Sequence, residues 1–190
     1  MKIADAGDSS RRDIDAALIR RSLAGDRAAA RDLHSAYAPI ASAFLRRLGT
    51  RAEDLEDACQ EVFLRFFRYL SGFRGEAELK TWLFRLCVTE ARRTRHRRKA
   101  AATLAALLRR EPAARAVPPA RWSEATIRAM VGRALGRMTP GQREAFILFE
   151  VEGRTGKEVA RIAGQSLPSA FRRLYEAERV VRDTLGVGRN

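Results

Sequence analysis

Apolar side chains in this sequence recur at spacings of three and four residues over several long stretches. One stripe consists of Leu33, Tyr37, Ile40, Phe44 and Leu48. This period matches the turn of an α-helix and differs from the strict alternation of a half-buried β-strand. Glycine and proline are sparse, with 13 and 6 among 190 residues, so few positions would interrupt a helix. The sequence therefore predicts an all-α protein.

Two groups of helical stripes are separated by a stretch of different composition. Residues 100–121 are rich in alanine and arginine, lack a clear apolar stripe and contain three prolines, which is typical of a linker. Four helices that share one apolar face make a compact domain. We therefore predict a variable N-terminus (1–12), a first small helical domain (13–99), a flexible linker (100–121) and a second small helical domain (122–190).

Polar residues mark where several helices should begin. Asp26 is placed to cap a helix, and the spacings Thr139–Gln142 and Thr155–Glu158 are those of capping boxes. In the first domain, helices are predicted to start at Ile14, after Asp26, near Glu53 and near Glu76. In the second domain, Gly164 is predicted to end one helix, and Ser166 or Leu167 to open the last.

The charge of the chain suits a polyanionic partner. It holds 37 Lys and Arg against 23 Asp and Glu, a net charge of +14. Nucleic acid and an anionic membrane surface are both open on charge alone. No run approaches the roughly 18 consecutive apolar residues of a membrane span, and the N-terminus lacks the apolar stretch of a signal peptide. We expect a cytoplasmic protein without membrane insertion.

A helix-turn-helix pattern lies near the C-terminus. Small Ala160 would let two helices cross closely, Gly164 would supply the turn, and Ala170 would pack back on the first helix. On the last helix, Arg172 is suited to a guanine edge and Arg173 to a phosphate. A plain helical hairpin with a solvated charged face is the alternative.

Half of the aromatic residues lie between positions 63 and 84, just before a basic helix end. Unpaired bases stack on aromatic rings beside arginines. Most of these rings should belong to the core. Phe73, in a predicted loop, and Trp82, beside it, are the two that we expect near an unstacked strand.

The third predicted helix has an acidic side formed by Asp54, Asp57 and Glu61. In a chain of net charge +14 this side would be repelled by DNA and should face another partner. A solvated helix start, favoured by the helix dipole, is the alternative.

No set of residues typical of catalysis is present in the sequence. It contains no phosphate-binding loop, no HExxH and no nucleophile beside a recognisable base. The only cysteines, Cys59 and Cys87, lie inside amphipathic patterns and are predicted to be reduced core residues. We predict no metal, no cofactor and no enzymatic activity.

Taken in order, these segments have a counterpart in a known family. The chain resembles the small, extracytoplasmic-function (ECF) group of bacterial RNA polymerase sigma factors, which have two helical domains joined by a linker. The matching strings are Leu23-Ala24-Gly25-Asp26, Tyr37-Ala38-Pro39, Asp57-Ala58-Cys59-Gln60-Glu61-Val62-Phe63-Leu64, Phe73-Arg74-Gly75-Glu76, Lys80-Thr81-Trp82-Leu83-Phe84-Arg85, Met138-Thr139-Pro140-Gly141-Gln142-Arg143-Glu144 and the segment from Glu158 to Leu174.

The resemblance implies three sets of binding residues. Core RNA polymerase would be bound by Asp54, Asp57, Gln60, Glu61 and Phe63. The melted non-template strand of the minus-ten element would be bound by Phe73, Arg74, Trp82, Arg85, Thr89, Arg92, Arg93 and Arg97. The duplex minus-thirty-five element would be bound by Ser169, Phe171, Arg172, Arg173, Tyr175 and Glu176.

The implied function is that of a non-catalytic initiation factor. It would direct core polymerase to specific promoters, assist promoter melting and be held inactive by an anti-sigma factor, which can be anchored at the membrane. A stand-alone helix-turn-helix regulator that binds duplex DNA without polymerase is the alternative. Phe171 stands where the family usually has Lys or Arg, and Arg172 where it usually has Ser, so the promoter sequence is left open.

Overall fold

The computed structural model describes residues 5–106 and 124–186, and throughout these residues the regular structure is helical, without β-strands. This confirms the predicted all-α class. The first stretch contains α1 (Asp5–Leu23), α2 (Arg27–Arg47), α3 (Ala52–Tyr69), a 3₁₀ turn (Leu70–Gly72) and α4 (Leu79–Ala106). The second contains α5 (Glu124–Arg137), α6 (Pro140–Phe146), a π-helical segment (Ile147–Val151), α7 (Gly156–Ala163) and α8 (Leu167–Leu185).

The chain divides into two compact units, Met1–Thr94 and Arg95–Asn190, and the division falls inside α4. This helix continues to Ala106, into the segment predicted as linker. Residues 107–121 of that segment lie outside the described residues, so the linker and the domain limits remain predictions. Within the described residues, none of the helices is both long and apolar enough to cross a membrane.

The predicted helix caps are confirmed. Asp26 accepts hydrogen bonds from the amides of Ala28 and Ala29, at 2.8 and 3.2 Å. Reciprocal capping boxes join Thr139 to Gln142 and Thr155 to Glu158. Two further predictions hold as well, since Ser166 caps α8 and Gly164 ends α7 in the left-handed conformation, at φ 61°. Each cap satisfies an N–H or C=O group that lacks a partner inside its helix.

Two helix starts were predicted wrongly. Helix α1 begins at Asp5 instead of Ile14, because its first turns lack the apolar stripe by which a helix is recognised in a sequence. Helix α4 begins at Leu79 instead of near Glu76. The carbonyl of Glu78 accepts the Trp82 amide at 3.2 Å, so the first intrahelical bond starts there.

The core of the first unit is rich in aromatic residues. Phe44, Phe66 and Phe84 are fully buried, and the rings of Phe44 and Phe84 stack with centroids 4.1 Å apart. Full burial of a side chain of this size contributes roughly 1.5–3 kcal/mol. These contacts hold α2, α3 and α4 together, and α1 packs on α2 and on the 3₁₀ turn.

Small residues dominate the packing of α8 in the second unit. Ala170 and Ala177 on this helix are fully buried, as is Ala145 on α6. Helix α8 packs against α5, α6 and α7. Alanine faces let helix backbones approach closely, and the exposed charged positions of α8 are Arg172, Arg179, Arg182 and Asp183.

Candidate functional site

The acidic side of α3 is exposed at Asp57 and partly covered at its other two carboxylates. Asp57 and Gln60 are exposed, while Asp54 and Glu61 are partly buried. Glu61 accepts a hydrogen bond from Arg65 Nη2 at 3.1 Å, one turn along the helix. The carboxylates near the first turns also suit the positive end of the helix dipole. This side therefore combines a stable helix start with an exposed negative surface.

A groove of about 780 Å³ runs beside this acidic side, between α2 and α3. Phe63 lines it but is only 5% exposed, and its ring lies 4.5 Å from that of His34. Leu64, by contrast, is 54% exposed and also lines the groove. We therefore add Leu64 to this surface, although the sequence analysis did not select it. Phe63 forms part of the wall of the groove. The signal for Leu64 was an apolar residue off the core stripe of α3.

An ion pair joins α3 to α4 behind this surface. Arg65 Nη1 lies 2.6 Å from Glu90 Oε2, and the Glu90 side chain is fully buried. Glu90 Oε1 accepts a further bond from the Thr94 hydroxyl at 3.3 Å. Since Arg65 also binds Glu61, one guanidinium connects the acidic side of α3 with α4.

Trp82 links the core to the predicted strand-binding loop. Its ring lies 5.1 Å from the buried ring of Phe66 on one hand and 5.6 Å from Phe73 on the other. Phe73 ends the 3₁₀ turn and, like Trp82, is partly exposed, while Arg74 beside it is exposed. The structure therefore brings Phe73 and Trp82 together as a ring pair that rests on the core and is open on its outer side.

Basic and polar positions continue from this ring pair along one face of α4. After Trp82 come Arg85, Thr89, Arg93 and Arg97 at spacings of three, four, four and four residues, and these four are exposed. Arg92 flanks this face and is partly buried. The Thr89 hydroxyl donates to the carbonyl of Arg85 at 2.9 Å, so it is held against its own helix.

Helix α1 is attached to this region by two polar contacts. Arg12 Nη2 lies 3.6 Å from Glu78 Oε1, just before α4. The Tyr37 hydroxyl of α2 donates to the buried carboxylate of Asp15. Burial and this carboxylate raise the pKa of the Tyr37 hydroxyl well above its usual value. The sequence reading assigned α1 no such contacts, because they join residues far apart in the chain.

The helix-turn-helix consists of α7, the turn at Gly164 and α8. At the start of α7, Glu158 accepts bonds from both the amide and the hydroxyl of Thr155, at 2.9 and 2.8 Å. Burial raises the pKa of the Glu158 carboxyl, but these bonds and nearby Arg154 outweigh it and hold the pKa below its usual value. The glutamate is therefore charged where the dipole of α7 favours a negative group.

The six predicted residues of α8 do not all face outward. Arg172 and Tyr175 are exposed. Arg173 donates to the side chain of Gln165, and its guanidinium covers Gly141. Glu176 accepts from Gln142 Nε2 at 3.2 Å, and the Ser169 hydroxyl accepts from that of Ser166 at 2.9 Å. Phe171 is 50% exposed, and its ring centroid lies 5.3 Å from that of Phe149.

A basic residue that the sequence reading missed extends the exposed face of α8. Arg179 is exposed and follows Arg172 by seven residues, a spacing that keeps both on one face. Arg182 follows, with its guanidinium 5.9 Å from the ring of Tyr175. The heptad spacing from Arg172 was the signal that could have identified Arg179.

The described residues contain no group of three or more His, Cys, Asp or Glu side chains arranged to hold a metal ion. Cys59 is partly buried and Cys87 fully buried, and both are free thiols. Burial raises the pKa of each thiol above its usual value.

Comparison with protein families matches the two halves of the chain in order. Residues 33–103 match the family model for Sigma-70 region 2, and residues 128–179 match that for Sigma-70, region 4. The ECF RNA polymerase sigma factor SigM of Mycobacterium tuberculosis is 31% identical over 151 residues, which cover 79% of this chain and 74% of the relative. RNA polymerase sigma factor CarQ of Myxococcus xanthus is 28% identical, covering 82% and 88%.

Two further similarities cover different shares of the chain. The ECF RNA polymerase sigma-E factor of Haemophilus influenzae is 37% identical over 78 residues, 41% of either chain. Among solved structures, the sigma factor RpoE of Bartonella quintana, crystallised with the anti-sigma factor NepR, has a TM-score of 0.67 and 23% identity. That similarity covers 84% of this chain and 98% of RpoE, and it concerns the fold. The two sigma regions and the identity to SigM together show that the chain belongs to the sigma-70 family, in its ECF group.

Proposed function

We propose that this protein is a transcription initiation factor of the ECF type. It binds core RNA polymerase, directs the enzyme to specific promoters and assists promoter melting, and it forms or breaks no covalent bond itself. The single observation that carries this function is the presence of both sigma regions in one chain, region 2 at residues 33–103 and region 4 at 128–179.

The partner of α3 in this proposal is core polymerase. The negative charges of Asp57 and Glu61 suit a docking face that stays away from DNA in a chain of net charge +14. The adjacent groove and exposed Leu64 supply apolar surface at the same place. A protein partner with basic and apolar side chains fits this combination, and Asp54, Gln60 and Phe63 lie within the same face or groove wall.

The ring pair and the basic face of α4 serve the minus-ten element. Stacking of a base on an aromatic ring contributes about 1–3 kcal/mol, which offsets the unstacking of the melted strand. Phe73 and Trp82 provide the rings, and Arg74 lies beside them. Phosphate contacts then fall to the arginines that follow along α4, namely Arg85, Arg92, Arg93 and Arg97.

Helix α8 serves the duplex minus-thirty-five element. Its exposed face offers Arg172 for a base edge, and Tyr175 and Arg179 for further contacts with the DNA. The contacts of Arg173 with Gln165 and of Glu176 with Gln142 support a different role for those two residues, which is to hold α8 on the rest of the unit.

The test is reconstitution with core polymerase. We expect the full chain to give promoter-specific run-off transcripts on genomic DNA only when core enzyme is present. Failure to bind core, or to initiate at any genomic promoter, would contradict the proposal. A stand-alone regulator is not favoured, because the match to region 2 is not expected in such a protein. A gel-shift experiment without core polymerase separates the two functions. A stand-alone regulator would bind duplex DNA tightly, whereas a sigma factor should bind it weakly.

A charge reversal tests the docking face. Asp57→Arg combined with Glu61→Arg should weaken binding to core by roughly tenfold or more, since like charges placed together cost several kcal/mol. The matched control is Asp13→Arg with Asp32→Arg, two exposed acidic residues of the same unit. Titration of labelled core with each variant measures the affinity, and thermal melting checks folding. Equal losses in both double variants would argue against α3.

An anti-sigma factor is the proposed regulator, and the cytoplasm is the proposed place of action. The sigma factor RpoE, which has a similar fold, is solved in complex with the anti-sigma factor NepR, and CnrH, also of similar fold, is solved with the cytosolic domain of CnrY. Co-purification of the chain from unstressed cells with a small co-transcribed protein would support this regulation. Full activity of the freely expressed chain in such cells would contradict it.

A further inference from the structure

Phe171 contacts two other elements of the second unit although half of its surface is exposed. A Cβ atom on Gly156 would lie 2.8 Å from Phe171 Cζ and 2.9 Å from Leu167 Cδ1. On its other side, the Phe171 ring is tilted by 36° against Phe149 of the π-helical segment. The ring therefore covers the first residue of α7, and a methyl group at position 156 would have to displace the ends of the Phe171 and Leu167 side chains.

We propose that Phe171 is a positioning residue of the minus-thirty-five interface and not a DNA contact. Its ring, seated on Gly156 and Phe149, sets the angle at which α8 leaves the turn after α7. Neighbouring side chains of α8 then make the contacts with the bases. This inference rests on the proposed function, because it takes the exposed face of α8 as the DNA-binding face.

The direction of the side chains supports this division. Arg172 and Arg179 are exposed and share one face of α8, at a spacing of seven residues. Leu167 and Phe171 also share a face, at a spacing of four residues, and both meet the space above Gly156. Two adjacent faces of one helix are therefore engaged differently, one with α7 and the other with solvent.

Loss of the contacts of Phe171 with Gly156 and Phe149 should affect the recognition of bases more than the binding of phosphates. Hydrogen bonds to base edges require side chains held within about 0.5 Å of their productive position, because they are short and directional. Attraction to phosphates depends on charge and tolerates small displacements of the helix. A loosened α8 should discriminate less between promoter and other DNA, while the salt dependence of DNA binding should stay the same.

The experiment uses holoenzyme reconstituted from core polymerase and the full chain, with a promoter fragment identified by run-off mapping. Phe171→Ala should lower the ratio of promoter to non-promoter binding by about tenfold, the order of one lost base contact. Phe171→Leu, which keeps apolar bulk, should lose less. Val131→Ala is the matched control, since Val131 is 47% exposed on α5, and should leave the ratio unchanged. An unchanged ratio in Phe171→Ala would overturn the proposal.

Deoxyuridine distinguishes positioning from direct reading of a thymine methyl group. In direct reading, replacing one thymine by deoxyuridine weakens wild-type binding, and Phe171→Ala makes that replacement harmless. Under the proposal, Phe171→Ala weakens the recognition of base pairs across the whole minus-thirty-five element and is not confined to one thymine. A single thymine whose methyl group stops mattering in Phe171→Ala, while discrimination at the other base pairs is intact, would overturn the proposal.

Gly156→Ala tests the seat from the other side and needs no DNA. The added methyl group should displace the ring and raise amide hydrogen exchange at the start of α8 in the full chain. In Gly156→Ala with Phe171→Ala, the exchange should be no faster than in either single variant. If the increases in exchange of the two single variants add in the double variant, the proposed contact between Phe171 and Gly156 would be overturned. If wild-type holoenzyme initiates at no promoter, the proposed function fails, while this exchange experiment still decides whether Phe171 positions α8.

Discussion

The two DNA-binding surfaces proposed for this protein are connected to their cores in different ways. In the first unit, the Trp82 ring contacts fully buried Phe66 and carries Phe73 on its other side, so the ring pair continues the aromatic core. In the second unit, α8 packs through buried alanines. At its edges it is held by the hydrogen bond of Glu176 with Gln142 and by the packing of Phe171 over Gly156.

This difference teaches how freely each surface can change. A large aromatic ring buries about 150–250 Å², so a ring shared by core and surface ties DNA binding to folding stability. A neutral hydrogen bond contributes only about 1 kcal/mol net, so edge contacts can be exchanged at small cost. We expect substitutions on the exposed face of α8 to alter promoter choice without unfolding, and those in the ring pair to affect both properties.

The largest expected effect lies in the buried ion pair of the first unit. Glu90→Ala should lower the free energy of unfolding of this unit by about 2–3 kcal/mol, because Arg65, only 16% exposed, keeps Glu61 as a partner but loses the buried carboxylate, and the Thr94 hydroxyl loses an acceptor. Urea unfolding followed by Trp82 fluorescence, with Trp122 replaced by Phe, measures it. The matched control is Glu178→Ala, which removes an exposed pair with Arg182 in the second unit, is followed by hydrogen exchange of the α8 amides and should cost under about 1 kcal/mol. Equal losses of unfolding free energy in the two variants would show that the buried pair and the exposed pair contribute alike, against the expected difference between the units.

The next effect concerns capture of the melted strand. Phe73→Ala should weaken holoenzyme binding to a premelted promoter fragment by roughly 5–150-fold, equivalent to the 1–3 kcal/mol of one stacked base. Phe73→Tyr retains a ring and should behave like wild type. Binding to a fully duplex fragment that carries only the minus-thirty-five element should be unchanged. A similar loss on that duplex fragment would show that Phe73 acts through folding alone.

A smaller effect is expected where α8 meets α6. Glu176→Ala should destabilise the second unit by about 1 kcal/mol, since Gln142 Nε2 loses its acceptor. Hydrogen exchange of the α6 and α8 amides in the full chain measures this change, and Glu176→Gln, which keeps an acceptor oxygen, is the control. A loss of binding confined to one cytosine of the promoter, with exchange unchanged, would instead make Glu176 a base-reading residue.

The smallest effect is a pH dependence in the cap of α7. The pKa of the Glu158 carboxyl is held below its usual value, so its contribution is complete above the unfolded-state pKa and is lost as the pH falls through the folded-state pKa. Glu158→Gln should therefore cost about 0.3–1 kcal/mol at pH 7 and less as the pH falls below about 4. Unfolding of the second unit at both pH values measures the difference. Exposed Glu150→Gln is the control, and a Glu158→Gln effect that grows on acidification would contradict the assignment.

The sequence alone predicted most of the local structure. Apolar periodicity located the helices, and the caps at Asp26, Thr139, Thr155 and Ser166 were correct because each bond joins residues two to three positions apart. The start of α1 escaped detection because its first turns carry no apolar stripe. Of the proposed site residues, Arg85 and Arg93 came from the family resemblance, and their spacing of eight residues is consistent with one exposed face of α4.

Only the tertiary structure decided which helix each face meets. The sequence places Phe63 on the same helix as Asp57, but packing against His34 leaves it only 5% exposed. It likewise places Phe171 beside Arg172, but only the fold shows that the Phe171 ring packs over Gly156, which has no side chain. Helix period and caps arise from neighbours along the chain, whereas burial, ion pairs such as Arg65 with Glu90 and close approaches arise between residues that only folding brings together.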